Sequence, residues 1–207
     1  MQLTIISDTH NQHDDLGHLS GDVLIHCGDM FNILNSDEND ITRMDAWFGE
    51  QDFDLILCIG GNHDLSIEKK VSHDEQPFKN AVYLQGQSYQ YKNITFFGAP
   101  WVPELSSHAF YVEESELKQK WADIPDNVDV LITHTPPFGI LDVCSRGSIL
   151  GCKHLLNAVK KIKPRMHCFG HVHHSSGQKV IDETTFINAA QLNHYHTAGM
   201  KPFQLKL

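Results

Sequence analysis

Short apolar, β-branched runs recur along the chain at residues 3–6, 22–27, 54–59, 94–97, 128–133 and 166–169. Their length, and the glycine or aspartate that follows most of them, predicts buried strands. Between several of them lie stretches with helical spacing. Residues 37–48 set Ile41, Met44, Ala46 and Phe48 among charged positions, and residues 113–121 form a second such stretch. Residues 153–162 place Leu155, Leu156, Val159 and Ile162 on one helical face,. Alternating strand and helix predicts an α/β layered fold. Residues 87–93 before Ile94, and the pair 179–181 and 184–187, read as added antiparallel strands. No repeat, low-complexity run or linker interrupts the pattern, so residues 1–207 are expected to form one domain,.

Charge and composition narrow the function classes. A formal net charge of −10 argues against long-range attraction of a nucleic-acid backbone, although cations bound in a cleft would create a local positive centre,. Lys160, Lys161, Lys163 and Arg165 fall on the polar side of a predicted helix and read as a solvated face,. Met1 to Ser7 contains no basic leader, and no apolar run approaches the length that crosses a bilayer,. Five cysteines without paired spacing predict reduced thiols, hence a cytoplasmic protein, with Cys144 and Cys152 a conceivable redox pair in one loop,.

The chemistry lies in five short segments, each a few residues beyond a predicted strand: Asp8-Thr9-His10, Gly28-Asp29, Gly61-Asn62-His63-Asp64, His134, and Gly170-His171-Val172-His173. In open α/β sheets ligands bind beyond the carboxyl ends of strands, so residues distant in sequence would converge on one rim. Asp8 and His10 are two residues apart and can chelate one ion from an extended segment. Asp29 has two carboxylate oxygens and suits a bridge between two ions. Asn62 offers a neutral amide oxygen, His171 and His173 could divide between the ions, and His134 completes the set. Alone, each segment is a common turn or a hydrogen-bonded histidine; together and in this order they predict a site for two divalent cations. Oxygen and nitrogen donors without thiolate suit Mn, Fe or Zn.

This five-part pattern resembles the calcineurin-like metallophosphoesterase superfamily. Within it, Phe97-Gly98-Ala99-Pro100-Trp101-Val102-Pro103, His134-Thr135-Pro136-Pro137-Phe138-Gly139 and Lys163-Pro164-Arg165 resemble the small metallophosphoesterase-domain phosphodiesterases, over Leu3 to about His174. The resemblance implies a four-layer αββα sandwich of two mixed β-sheets flanked by helices. It also implies one metal on Asp8, His10, Asp29 and His173 and another on Asp29, Asn62, His134 and His171. One departure is Asp64, where the subgroup often carries glutamate; the carboxylate is retained. The expected reaction is hydrolysis of a phosphodiester, with phosphomonoesters a further class, by a metal-bridging hydroxide. His63 would serve the leaving group and Asp64 would orient its ring. Arg146, in the glycine-rich loop 138–151, is a candidate contact to a small phosphate-ester substrate,. A catalytically weak scaffold of the same fold and a nuclease remain the competing classes. The intact His63 and ligand set speaks against the first, and the lack of a basic groove against the second.

Overall fold

Period-2 alternation sorts nearly every strand side chain between two apolar layers, and this sorting builds the architecture. The computed structural model describes residues 1–32, 38–103, 105–191 and 201–207. The first sheet contains β1 (Gln2–Ile6), β2 (Ser20–His26), β3 (Asp52–Cys58), β4 (Val82–Tyr83) and β11 (Phe203–Lys206), in the order β11-β1-β2-β3-β4. The second contains β5 (Gln87–Tyr91), β6 (Ile94–Ala99), β7 (Val130–Thr133), β8 (Met166–Phe169), β9 (Gly177–Ile181) and β10 (Thr184–Asn188), in the order β5-β6-β7-β8-β10-β9.

Leu3, Ile5, Val23, Ile25 and Leu57 of the first sheet meet Phe96, Val130, Ile132, Met166 and Cys168 of the second in a central core. The intervening residues point outward. Ile6, Leu24, Ile56 and Cys58 pack with Met44, Trp47 and Phe48 of α1 (Glu38–Gly49) and Ile67 of α2 (Leu65–Val71). Phe97, Leu131 and Phe169 pack with Leu117 and Trp121 of α3 (Glu114–Ala122) and Leu155 and Val159 of α4 (Lys153–Ile162). The result is the expected αββα sandwich of two mixed sheets. Among the described residues no helix is long and apolar enough to cross a membrane.

β1, β2 and β3 run parallel, as do β6, β7 and β8. The carboxyl ends of the two parallel sets are stitched together by a bridge between Ser7 and Ala190 and by Gln191 N–H donating to the Ser7 carbonyl at 2.9 Å. His26 and His167 are fully buried strand residues, as their apolar contexts imply. The Cys144 and Cys152 thiols are both free.

Candidate metal centre

Every segment singled out in the sequence leaves the carboxyl end of a parallel strand: Asp8 after β1, Asp29 after β2, Asn62 after β3, His134 after β7, and His171 and His173 after β8. The backbone turns sharply there. Asp8, His10, Asp29 and His171 take φ values of 56°, 42°, 54° and 69°, in the left-handed region that costs a residue with a Cβ about 1–2 kcal/mol,. Strain gathered on four ligand candidates points to a site that the surrounding packing enforces. Glycines permit the close approach. A Cβ on Gly61 would run into the Asp29 side chain, and one on Gly170 into Ser7 and the Asp8 carboxylate.

The donor atoms converge as the pattern required. Asp8, His10 and His173 form one group; Asp29, His134 and His171 form another; Asp29 also groups with His10 and His63. His173 Nε2 lies 3.1 Å from Asp8 Oδ1 and 3.3 Å from His10 Nε2. Asn62 Oδ1 lies 2.9 Å from His134 Nε2 and 2.8 Å from His171 Nδ1, and Asp29 Oδ2 lies 3.4 Å from His134 Nε2. Asp29 thus stands between the two groups.

Backbone carbonyls fix two of the tautomers. His10 Nδ1 contacts the Phe31 carbonyl at 3.1 Å, and His134 Nδ1 contacts the Cys27 carbonyl at 2.9 Å. A carbonyl only accepts, so each Nδ1 carries a proton and each Nε2 faces the cluster. At His134, Nε2 faces Asn62 Oδ1 and Asp29 Oδ2, both acceptors. Acceptors massed in a buried space repel one another unless something positive sits among them.

The titration behaviour agrees. Burial opposes an imidazolium at His134, yet the Asp29 charge and hydrogen bond, with Asp8, raise its pKa to about 9. Burial likewise opposes the Asp29 and Asp8 carboxylates, but His134 holds Asp29 well below the carboxylate range and His173 does the same for Asp8. His171 is pushed the other way, to about 4, by burial and by His134. Without a cation, a proton on His134 supplies the positive charge among these acceptors. Divalent cations suit the same donor set, with His134 neutral.

Two sequence expectations need correction. Asp64 does not orient the His63 ring. Its buried carboxylate accepts N–H groups from Gly61 at 2.8 Å, Phe31 at 3.0 Å and Met30 at 3.3 Å, while His63 Nδ1 is buried without a hydrogen-bond partner. Helix α2 begins at Leu65 and carries the Asp64 side chain inward, away from its neighbour's ring. Burial and the Asp29 charge raise the Asp64 pKa to about 7. Arg146 does not reach the cleft wall. A tight turn, with Gly147 N–H donating to the Cys144 carbonyl at 2.9 Å, leaves it exposed at the tip, and Cys144, Ser145 and Leu150 form the wall instead.

His63 sits where a catalytic group would. Its side chain is 25% exposed toward the cleft, with Nε2 4.0 Å from Asp29 Oδ2 and its ring centre 4.7 Å from that of His10. Sequence reasoning did not find His108, whose ring centre lies 6.1 Å from that of His63. Ala109 N–H donates to the Asn62 carbonyl at 3.0 Å and Phe110 N–H to Glu68 Oε1 at 2.6 Å, which hold its loop there. Nothing in the spacing of His108 marks it. The segment His194-Tyr195-His196, whose two histidines make it a sequence candidate for a substrate wall, lies outside the described residues.

With this geometry established, comparison with known proteins is decisive. The profile described as Calcineurin-like phosphoesterase matches residues 1–175. The chain belongs to the calcineurin-like phosphoesterase family. Human "Metallophosphoesterase domain-containing protein 1" is 32% identical over 89% of this chain, which spans 64% of that relative's length. "UPF0046 protein C25E10.12" of Caenorhabditis elegans is 35% identical, over 98% of this chain and 79% of that one. One solved structure superposes with a TM-score of 0.63 at 16% identity, covering 90% of this chain and 89% of its own. GAP50, the anchor in the inner membrane complex of Plasmodium, superposes at 0.52 and 11% identity, over 97% of this chain and 75% of that one. These structures share the calcineurin-like fold; their identities are too low to carry more.

Proposed function

We propose that the chain is a dinuclear, metal-dependent phosphoesterase that hydrolyses phosphodiesters. The observation that carries this reading is the convergence of His134 Nε2 on the acceptor oxygens Asn62 Oδ1 and Asp29 Oδ2, all held by the backbone around them. Asp8, His10, Asp29 and His173 would hold one cation, and Asp29, Asn62, His134 and His171 the other. Such a pair supplies Lewis-acid polarisation of phosphoryl oxygens and activation of water. Two carboxylates, Asp8 and Asp29, offset only part of that charge, so the cleft attracts phosphate on a protein of net charge −10,.

His63 supplies what the ligands do not. It borders the cleft and is exposed enough to meet substrate, and burial lowers its pKa, which favours ready release of a proton from the protonated ring,. Placed at the leaving-group oxygen, it donates a proton or a hydrogen bond there. Its Nδ1 has no carboxylate partner, so the ring is positioned by packing against His10 rather than by a dyad.

The test is hydrolysis of bis(4-nitrophenyl) phosphate by protein stripped with chelator and reloaded with Mn²⁺, Fe²⁺ or Zn²⁺. The proposal expects turnover that vanishes on stripping and returns with metal at two ions per chain. Undiminished turnover after stripping, or none with any of these ions, rules it out; the latter outcome favours a scaffold.

A further inference from the structure

The metal cleft and a second cavity share one side chain, Leu150. The cleft encloses about 260 Å³, and Cys144, Ser145 and Leu150 form one of its walls. The far side of Leu150 faces a groove of about 560 Å³ between residues 111–114 and 149–154, a volume typical of small-molecule sites,. Tyr111, Val112, Phe138 and Ile149 give the groove apolar walls.

The segment between the two cavities is a short hairpin closed by an antiparallel bridge from Val143 to Ile149. Its backbone is pinned. Asp142 Oδ2 accepts the N–H of Gly139 at 2.7 Å and of Gly151 at 3.2 Å, and the Ser175 hydroxyl donates to the Val143 carbonyl at 2.7 Å. This fixed hairpin displays Val143, Ile149 and Leu150, at 42%, 50% and 37% exposure. Only two other large apolar side chains, Leu65 and Val180, are exposed among the described residues. Apolar side chains held in water by a rigid backbone, beside a polar cleft, mark a surface that a ligand covers.

We propose that this groove binds the ester group that remains on phosphorus, and that the group is apolar or aromatic. The inference rests on the phosphoesterase reading above. His63 borders the cleft and not the groove, so the leaving group belongs on the His63 side and the retained group on the Leu150 side. Charges of both signs stand at the rim. Glu113 and Glu114 stand with Lys153 and His154, and His154 Nε2 lies 3.4 Å from Glu114 Oε1.

Two diesters with a common 4-nitrophenol leaving group isolate the retained group: methyl 4-nitrophenyl phosphate and 2-naphthyl 4-nitrophenyl phosphate, each with the Mn²⁺-loaded protein. The wild type should favour the naphthyl ester about tenfold or more in kcat/KM, as an apolar pocket does for added apolar surface. Ile149→Ser should lower that ratio about tenfold, mainly through KM for the naphthyl ester. Val180→Ser, at a still more exposed apolar position on β9, should leave the ratio unchanged. Equal hydrolysis of both esters by the wild type, or a ratio that survives Ile149→Ser, overturns the groove assignment alone. Hydrolysis of neither ester overturns the phosphoesterase reading and the groove with it.

Discussion

The carboxylate of Asp64 bridges Gly61 and Phe31, accepting the N–H of the first at 2.8 Å and of the second at 3.0 Å. It thereby ties the loop that presents Asn62 to the loop that presents Asp29, across 33 residues of sequence between Phe31 and Asp64. Asp64→Asn replaces one acceptor oxygen with an amide donor facing N–H donors. Leaving a buried donor unpaired costs about 1–3 kcal/mol. We expect a lower Tm and Mn²⁺ affinity weakened about tenfold or more by calorimetric titration. Unchanged metal affinity would remove Asp64 from the framework of the site.

His63 makes the opposite prediction. Because it contacts the cleft without sharing Asn62 Oδ1 or an Asp8 oxygen, His63→Gln should keep two metals per chain by elemental analysis. Loss of a general acid costs about 100- to 10,000-fold in turnover. The loss should be smallest for a nitrophenyl ester, whose leaving group needs little protonation, and largest for an alkyl ester. A variant that loses a metal, or that slows both esters alike, would show His63 to be a ligand or a packing residue.

Much of this was legible in the sequence because strand alternation is dictated by burial on two faces. Met166–Phe169 and Lys153–Ile162 occupy the expected positions residue for residue. The residues that cluster at the site were legible because each follows a strand, and the parallel order puts those ends on one rim. Strand β11 was not foreseen: it sits at a sheet edge, where Phe203 and Leu205 cover the core only in part, and a half-buried edge has a weak pattern. β4 has two residues, too few for periodicity, and α2 anchors through Ile67 as its one buried residue. Asp64 and His108 show the deeper limit. Adjacency in sequence put Asp64 beside His63, but the start of α2 turned it inward, and His108 arrives through a loop fixed by Glu68. Side-chain direction and loop docking are tertiary properties.

Burial lowers the His167 pKa from an ordinary 6.5 to about 3, so the folded protein keeps this ring neutral where the unfolded chain would protonate it. The unfolded state therefore binds the extra proton between those values. His167 contributes its full stability above about pH 6.5, and this is lost as pH falls toward 3, by up to about 1.4 kcal/mol per pH unit. His26, also lowered to about 3 by burial, adds a loss of the same sign over the same window. His167→Gln cannot titrate and can still donate to Thr133 Oγ1, now 2.9 Å from His167 Nε2. Urea unfolding of chelated protein from pH 8 to pH 4.5 should show a shallower acid decline for the variant. Parallel declines would mean that His167 does not titrate on unfolding.

Gly170 tests how tightly the two sheets are apposed at the candidate metal centre. Its Cβ position is occupied by the side chains of Ser7 and Asp8, so Gly170→Ala must displace either the end of β1 or the Asp8 carboxylate. Overpacking of this kind costs about 1–3 kcal/mol. Since Asp8 also accepts the His171 N–H at 3.0 Å, the displacement reaches donors of both proposed cation sites. Mn²⁺ affinity should fall at least tenfold, together with Tm. Gly139→Ala is the control: at φ +78° it is strained, but its Cβ meets nothing within 4 Å. It should lower Tm by a comparable or smaller amount and leave metal affinity alone. If Gly170→Ala binds Mn²⁺ as the wild type does, the close contact between the turn after β8 and Asp8 is not what aligns the carboxylate.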